Sequence, residues 1–194
     1  MDISERPPEA TVVVCTRNRG HMITDTISSV LGSDMAEFEL LVIDQSDDDD
    51  THHAITPFLV DPRVRYLRTT DTGVARSRSL ALNQARSEYI LNTDDDCVVS
   101  KGWIAANLKA FRDHPSAAIV FGDVVAPRLE GSYAPESVAD ADFTVGSIRD
   151  WRAPDGANVG IGASMSMRRS VLIELGGFDH ELGPGARFRN AEDT

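Results

Sequence analysis

Short apolar segments that recur between helical patterns constrain the fold of this chain more than any other feature. The segments at 11–15 and 40–43 are continuous runs of β-branched and aliphatic residues, with no polar alternation after their first residue. A strand that faces water on one side alternates apolar and polar residues, so continuous runs indicate strands covered on both faces. Weaker strands are predicted at 64–67, 89–91 and 117–121.

Helical patterns separate these strands. Apolar residues recur at helical spacing near 21–31, 73–86 and 102–112. Strands that alternate with helices form βαβ units and a parallel sheet. The sequence therefore predicts an α/β fold, with a Rossmann-like, mainly parallel central sheet flanked by helices. The order of the strands does not follow from this pattern.

Composition limits the size of the fold and the class of partner. The chain has 194 residues and is 41% hydrophobic, which suits about one domain. Its net charge of -12 argues against nucleic acid, because that binding requires Lys and Arg to neutralise phosphates. The oligomeric state does not follow from these numbers.

The expected location follows from the cysteines and from the apolar runs. Cys15 and Cys97 form no CxxC pair and suit a reducing compartment. The sequence has no N-terminal hydrophobic signal and no apolar run near the ~20 residues of a membrane span. We expect a cytoplasmic chain without a transmembrane segment; a peripheral position at the inner face of the membrane is also compatible.

Polar residues follow three of the predicted strands, at 16–18, 44–46 and 93–96. In open α/β sheets, ligands bind outside the carboxyl ends of the strands. The sequence therefore predicts a ligand site where these three segments converge. Asp44, which directly follows an apolar strand, could accept hydrogen bonds from a base or a ribose.

The acidic triple Asp94, Asp95 and Asp96 is the strongest candidate for a metal site. Adjacent carboxylates repel one another unless a positive charge lies among them. Mg²⁺ commonly takes one or two carboxylates together with substrate phosphates. The alternative is a solvated acidic loop before a helix. The second acidic run, 47–50, suits the first turn of a helix, where the helix dipole favours acids, and we assign it no chemical role.

Two arginines lie in a predicted helix that begins after Gly73. Arg76 and Arg78 are candidates for contact with a diphosphate, because the planar guanidinium makes two parallel hydrogen bonds. The alternative is a surface helix whose arginines are solvated.

Taken in order, these segments resemble the family 2 glycosyltransferases, which have the GT-A fold. The resemblance extends along nearly the whole chain and depends on the order and spacing of its motifs. The segments that carry it are 13–19, 42–46, 73–78, 89–96, 162–165, 176–179 and 191–193.

The resemblance implies a nucleotide-sugar donor site and a divalent metal, Mn²⁺ or Mg²⁺. Asp94 and Asp96 match the outer acids of the DxD motif, with Asp96 and Asp94 as the metal ligands. Which carboxylate of the triple binds the ion stays open. The residues implied to contact the donor nucleotide are Thr16, Arg17, Asp44, Arg78, Asp94 and Asp95.

The resemblance also implies an inverting transfer to an acceptor hydroxyl. Asp193 would be the general base, and Glu192 would help to bind the acceptor. UDP is the commonest donor nucleotide in the family, and the acceptor is not specified. The residues implied to form a wall beside the donor sugar or the acceptor are Gly162, Ala163, Ser164 and Met165.

The resemblance divides the chain into an N-terminal tail at 1–10, a donor-binding part at 11–125 and an acceptor-side part at 126–194. Because family members normally continue beyond the Glu-Asp motif, we expect the acceptor part to be incomplete and turnover to be weak. Two other functions stay open: a sugar nucleotidyltransferase and a nucleotide-sugar-binding module without activity.

Overall fold

The computed structural model describes residues 6–125, 136–137 and 161–187. The strands are β1 (Ala10–Thr16), β2 (Phe38–Asp44), β3 (Val64–Arg68), β4 (Tyr89–Asp94), β5 (Val98–Val99), β6 (Ile119–Phe121), β7 (Val124–Val125), β8 (Glu136–Ser137) and β9 (Ser164–Arg168). The helices are α1 (Gly20–Leu31), α2 (Asp50–Ile55), α3 (Val74–Gln84), α4 (Trp103–Asp113) and α5 (Arg169–Glu174), and a 3-10 turn follows α2 at Thr56–Phe58.

A six-stranded sheet in the order β3-β2-β1-β4-β9-β6 forms the centre of the fold. Strands β1 to β4 are parallel, whereas β9 runs antiparallel to both of its neighbours. A small second sheet has the order β5-β8-β7. The prediction of a mainly parallel α/β sheet flanked by helices is therefore confirmed.

Both faces of the sheet are covered, which explains the continuous apolar runs of β1 and β2. Val12 and Val14 pack in a cluster with residues of α1 and α4. Val13 points the other way, into a cluster that holds residues of α3 and α5. Successive side chains of a strand point to opposite faces, so a strand buried on both faces needs apolar residues at every position.

The predicted elements differ from the observed ones mainly at their ends. The fifth predicted strand begins at Ile119 rather than at 117, and the helix predicted near 102–112 spans Trp103–Asp113, after the short strand β5. Strand β9 was not predicted. Its sequence, Ser-Met-Ser-Met-Arg, lacks β-branched residues, and it takes up its position only by pairing between β4 and β6.

The start of α1 packs directly on the start of α2. A Cβ atom on Gly20 would lie 2.8 Å from the backbone of Asp50 and Thr51, so only glycine fits there without a shift. This contact brings the loop after β1 against the loop after β2. Among the described residues, no helix has both the length and the apolar character needed to cross a membrane.

Candidate functional site

The carboxyl ends of β1, β2 and β4 lie side by side at one edge of the sheet. Thr16 is paired with Asp44 on β2, and Cys15 is paired with Asp94 on β4. The three polar segments that follow these strands therefore converge, as the sequence predicted. The order of the strands places β1 in the middle of the site.

Asp95 is a buried carboxylate with a partner on each oxygen. The Thr16 hydroxyl donates to Oδ2 at 2.7 Å, and Arg19 Nη1 lies 2.7 Å from Oδ1. Burial raises the pKa of Asp95, while the Thr16 hydroxyl and the Arg19 charge act in the opposite direction. Thr16 thus contacts the acidic triple directly, and its contact with a nucleotide stays a prediction.

Arg19 also reaches the next acid. Its Nη2 donates to Asp96 Oδ2 at 2.6 Å, so one guanidinium bridges Asp95 and Asp96. Arg19 was not among the predicted site residues, although it lies three residues after β1 and within the motif at 13–19. The available signal was a cation near the end of a strand that lies beside an acidic strand end.

A turn at the end of β4 brings together three groups that could hold a cation. The ligand atoms of Asp94, Asp96 and Cys97 lie within 4.8 Å of one another. Burial raises the pKa of the Cys97 thiol to about 12, so the sulfur is protonated at neutral pH. Carboxylate oxygens suit Mg²⁺ and Mn²⁺, so Asp94 and Asp96 fit the implied metal better than the thiol does.

Asp44 is fully buried at the end of β2. Its Oδ1 accepts the Ser46 backbone N–H at 2.8 Å, and its Oδ2 accepts the Tyr66 hydroxyl at 2.6 Å. Burial and this hydrogen bond to Asp44 raise the pKa of Tyr66. A carboxylate offers about four lone-pair sites, so these two bonds leave acceptor capacity for a further donor. Contact with a base stays a prediction.

Arg78 lies on α3 and is buried, with 6% of its surface exposed. Its Nη1 atom is also buried and has no hydrogen-bond partner within the described part of the chain. Burial raises the pKa of Cys15 to about 12, while Arg78 lowers it and Asp94 raises it. Both Arg78 and Asp94 are therefore close enough to the Cys15 thiol to act on its pKa.

Gln45 was assigned no individual role from the sequence, but its side chain holds the turn before α3. Its side chain donates to the carbonyl oxygens of Asp71 and Gly73 and accepts the Gly73 N–H at 3.3 Å. The same turn contacts a distant segment, because the Val74 N–H donates to the Pro184 carbonyl at 3.2 Å. A Cβ on Gly185, where φ is +85°, would lie only 3.1 Å from the Gly73 Cα.

The remaining predicted residues fall into three groups. Arg17 is exposed and pairs with Asp47 at 3.3 Å. Ser164 and Met165 are buried in β9, where the Ser164 hydroxyl accepts the Trp103 indole N–H at 3.2 Å, and Gly162 and Ala163 are buried just before it. Glu192 and Asp193 lie outside the described residues. The roles assigned to all of these residues stay predictions.

Comparison with known proteins identifies relatives of this arrangement. A family model described as "Glycosyl transferase family 2" matches residues 11–176. Glucosyl-dolichyl phosphate glucuronosyltransferase from Haloferax volcanii is 23% identical over 90% of this chain and 57% of its own length. Poly-beta-1,6-N-acetyl-D-glucosamine synthase from Staphylococcus epidermidis is 25% identical over 85% of this chain and 40% of its own length. The chain thus spans about half the length of these curated relatives.

Solved structures share the fold. The mannosyltransferase PcManGT from Pyrobaculum calidifontis, in complex with GDP-Man and Mn²⁺, has a TM-score of 0.67 at 21% identity, over 92% of this chain and 50% of its own. A structure of Staphylococcus aureus TarS in complex with UDP has a TM-score of 0.68 at 20% identity, over 95% of this chain and 52% of its own. These similarities show the GT-A fold.

Proposed function

Because this chain belongs to glycosyl transferase family 2, we propose that it transfers a sugar from a nucleoside diphosphate sugar to an acceptor hydroxyl. The transfer is metal-dependent and inverts the configuration at the anomeric carbon. The donor is a UDP-sugar, as in the complex of TarS with UDP-GlcNAc, although PcManGT was solved with GDP-Man. We also propose a cytoplasmic location, which suits two cysteines that are both free.

The observation that carries this proposal is the buried Arg78 Nη1 atom, which has no hydrogen-bond partner among the described residues. A buried polar atom without a partner is costly, and a guanidinium N–H pairs well with a phosphate oxygen. Arg78 and Asp94 both act on the Cys15 thiol, and a diphosphate in this region could bind both the arginine and a metal ion held by the acids. A diphosphate would therefore satisfy the arginine and bring the donor to the edge of the sheet.

Asp94 and Asp96 are the residues that would hold the divalent ion. When bound, such an ion supplies charge stabilisation for the leaving diphosphate. The protein's own part is to orient the donor: Arg78 binds the phosphates, Asp44 accepts a hydrogen bond from the base, and Thr16 and Arg17 lie beside the nucleotide.

Asp193 is the proposed general base. Its carboxylate removes the proton from the acceptor hydroxyl while the acceptor oxygen bonds to the anomeric carbon and the bond to the diphosphate breaks. Glu192 contacts the acceptor. Gly162, Ala163, Ser164 and Met165 shape the neighbouring wall. General base catalysis contributes roughly 10²–10⁴-fold, so Asp193→Asn should reduce product formation by about that factor while nucleotide affinity is kept.

Calorimetry with UDP, GDP and dTDP, each with and without Mn²⁺, tests the donor site. We expect metal-dependent binding that is tightest for UDP. Arg78→Met should weaken it by about 10–100-fold, the effect of losing a hydrogen bond to a charged group. Arg76→Met is the matched control, because Arg76 is exposed on the same helix, and it should change the affinity by less than about twofold. Equal losses in both variants, or no nucleotide binding by the wild type, would contradict the proposal.

A further inference from the structure

We propose that Arg19 is a positioning residue for the divalent ion. Its guanidinium holds Asp96 so that one carboxylate oxygen stays available to the metal. The same guanidinium pairs with Asp95, which then has a structural role rather than a metal-binding one. The inference depends on the proposed function, because it assumes that Asp94 and Asp96 bind a cation.

Asp95 has a partner on each of its carboxylate oxygens and is deeply buried. Thr16 donates to one of its oxygens and Arg19 contacts the other, each at 2.7 Å. The Asp95 side chain is 4% exposed. A carboxylate that is buried and bonded on both oxygens is a poor candidate for a ligand that must face a solvated ion and a diphosphate. Of the three acids, Asp95 is therefore the one with a structural role, because it holds the Arg19 guanidinium.

Asp96 is bound by Arg19 on one oxygen only. Arg19 Nη2 donates to Oδ2 at 2.6 Å, while Oδ1 accepts a long hydrogen bond from the Cys97 thiol at 3.9 Å. The Asp96 side chain is 26% exposed, and its ligand atom lies within 4.8 Å of those of Asp94 and Cys97. Arg19 thus fixes the rotation of the carboxylate and leaves Oδ1 without an arginine contact.

The guanidinium has a geometric role that a simple positive charge would not fill. Its two terminal nitrogens reach two different carboxylates at 2.7 and 2.6 Å, which sets the spacing of consecutive side chains. A lysine ammonium at this position would keep the charge but lose the planar fork. Side chains that orient metal ligands typically contribute 10–100-fold to metal affinity.

The alternative role for Arg19 is competition with the metal ion for Asp96. If Arg19 were only a cation that competes with the metal for Asp96, its removal would strengthen metal binding. A lysine would then behave like the arginine, because both carry the same charge. Positioning and competition therefore predict opposite results for a neutral variant and different results for a lysine.

Titration of free Mn²⁺ by electron paramagnetic resonance, in the presence and absence of UDP, distinguishes the two roles. We expect Arg19→Met and Arg19→Lys each to weaken Mn²⁺ binding by about 10–100-fold. UDP affinity without metal should be unchanged. Arg63→Met is the matched control, because Arg63 is half-buried and pairs with Asp61 at 2.8 Å through the same kind of contact. It should leave Mn²⁺ binding unchanged.

Three outcomes would overturn the inference. Tighter Mn²⁺ binding by Arg19→Met, or wild-type affinity in Arg19→Lys, would contradict positioning and leave the proposed function intact. A wild-type protein that binds no Mn²⁺ at all would overturn the metal site, and with it both proposals. Thermal unfolding of each variant would show whether a loss of affinity arises from a loss of the fold.

Discussion

The two acidic runs of this chain have similar composition and different environments. The triple at 94–96 ends a central strand, where Asp95 is buried and Asp96 is partly exposed. The run at 47–50 follows β2 and is exposed throughout. Its Asp47 pairs with Arg17 and its Asp49 pairs with Arg68, so it forms surface ion pairs before α2.

The pKa values of carboxyl groups in the two runs shift in opposite directions. Burial raises the pKa of Asp95. In contrast, hydrogen bonds from Asn18 and Arg17 lower the pKa of Asp47, and the hydrogen bond from Arg68 lowers that of Asp49. Desolvation dominates at one site and pairing in water at the other. A count of carboxylates therefore does not identify a metal site; the strand that carries them and the groups around them do.

The largest expected difference between the two runs concerns metal binding. Asp96→Asn should weaken Mn²⁺-dependent UDP binding by more than about 100-fold, because loss of a metal ligand exceeds the loss of a side chain that only orients one. Asp48→Asn is the matched control in the exposed run, where the Asp48 carboxylate accepts the Asp50 N–H. Calorimetry measures both. Equal effects would remove the functional distinction between the runs.

A medium effect is expected for side chains that support each run. Thr16→Val removes the hydroxyl bonded to buried Asp95 and should reduce the free energy of unfolding by about 1–3 kcal/mol. Asn18→Gly removes a side chain bonded to exposed Asp47, and glycine tolerates the φ of +56° found there. It should change stability by less than about 0.5 kcal/mol. Urea denaturation in EDTA compares them, and a larger loss for Asn18→Gly would contradict the assignment.

The smallest effect concerns pH. The pKa of Asp49 is lowered below its ordinary value of 3.8 by Arg68, so its pairing stabilises the fold at pH values above that value. This contribution is lost as the pH falls through the lowered pKa. The difference in stability between wild type and Asp49→Asn should therefore shrink as the pH falls from about 5 to below 3.8, and should also shrink at high salt. A difference that grows as the pH falls would contradict this pairing.

Much of the fold could be predicted because β1 and β2, two of the four parallel strands, carry strong local signals. Runs such as 11–15 and 40–43 are apolar at every position after the first, and the helices between them have clear spacing. Strand β9 could not be predicted, because its Ser and Met residues have no strong preference for a strand and depend on pairing with β4 and β6. Strand order likewise depends on long-range pairing.

The candidate site was predicted only in part. Asp44, Arg78 and the triple at 94–96 stand at strand ends or at a helix start, so their positions could be inferred from the sequence. The contacts of Arg19 and Gln45 could not, because each partner lies 26 or more residues away. The family match favours a glycosyltransferase over a nucleotidyltransferase.

The contact between Gly73 and Gly185 links two positions that lie far apart in the sequence. Both glycines have positive φ, and a methyl group on Gly185 would meet the Gly73 Cα at 3.1 Å. A larger residue at Gly185 cannot be rescued by a smaller one at position 73, because Gly73 has no side chain to lose. A second substitution at the partner position therefore cannot restore the fit. We expect each glycine to tolerate almost no substitution, even where its neighbours vary freely.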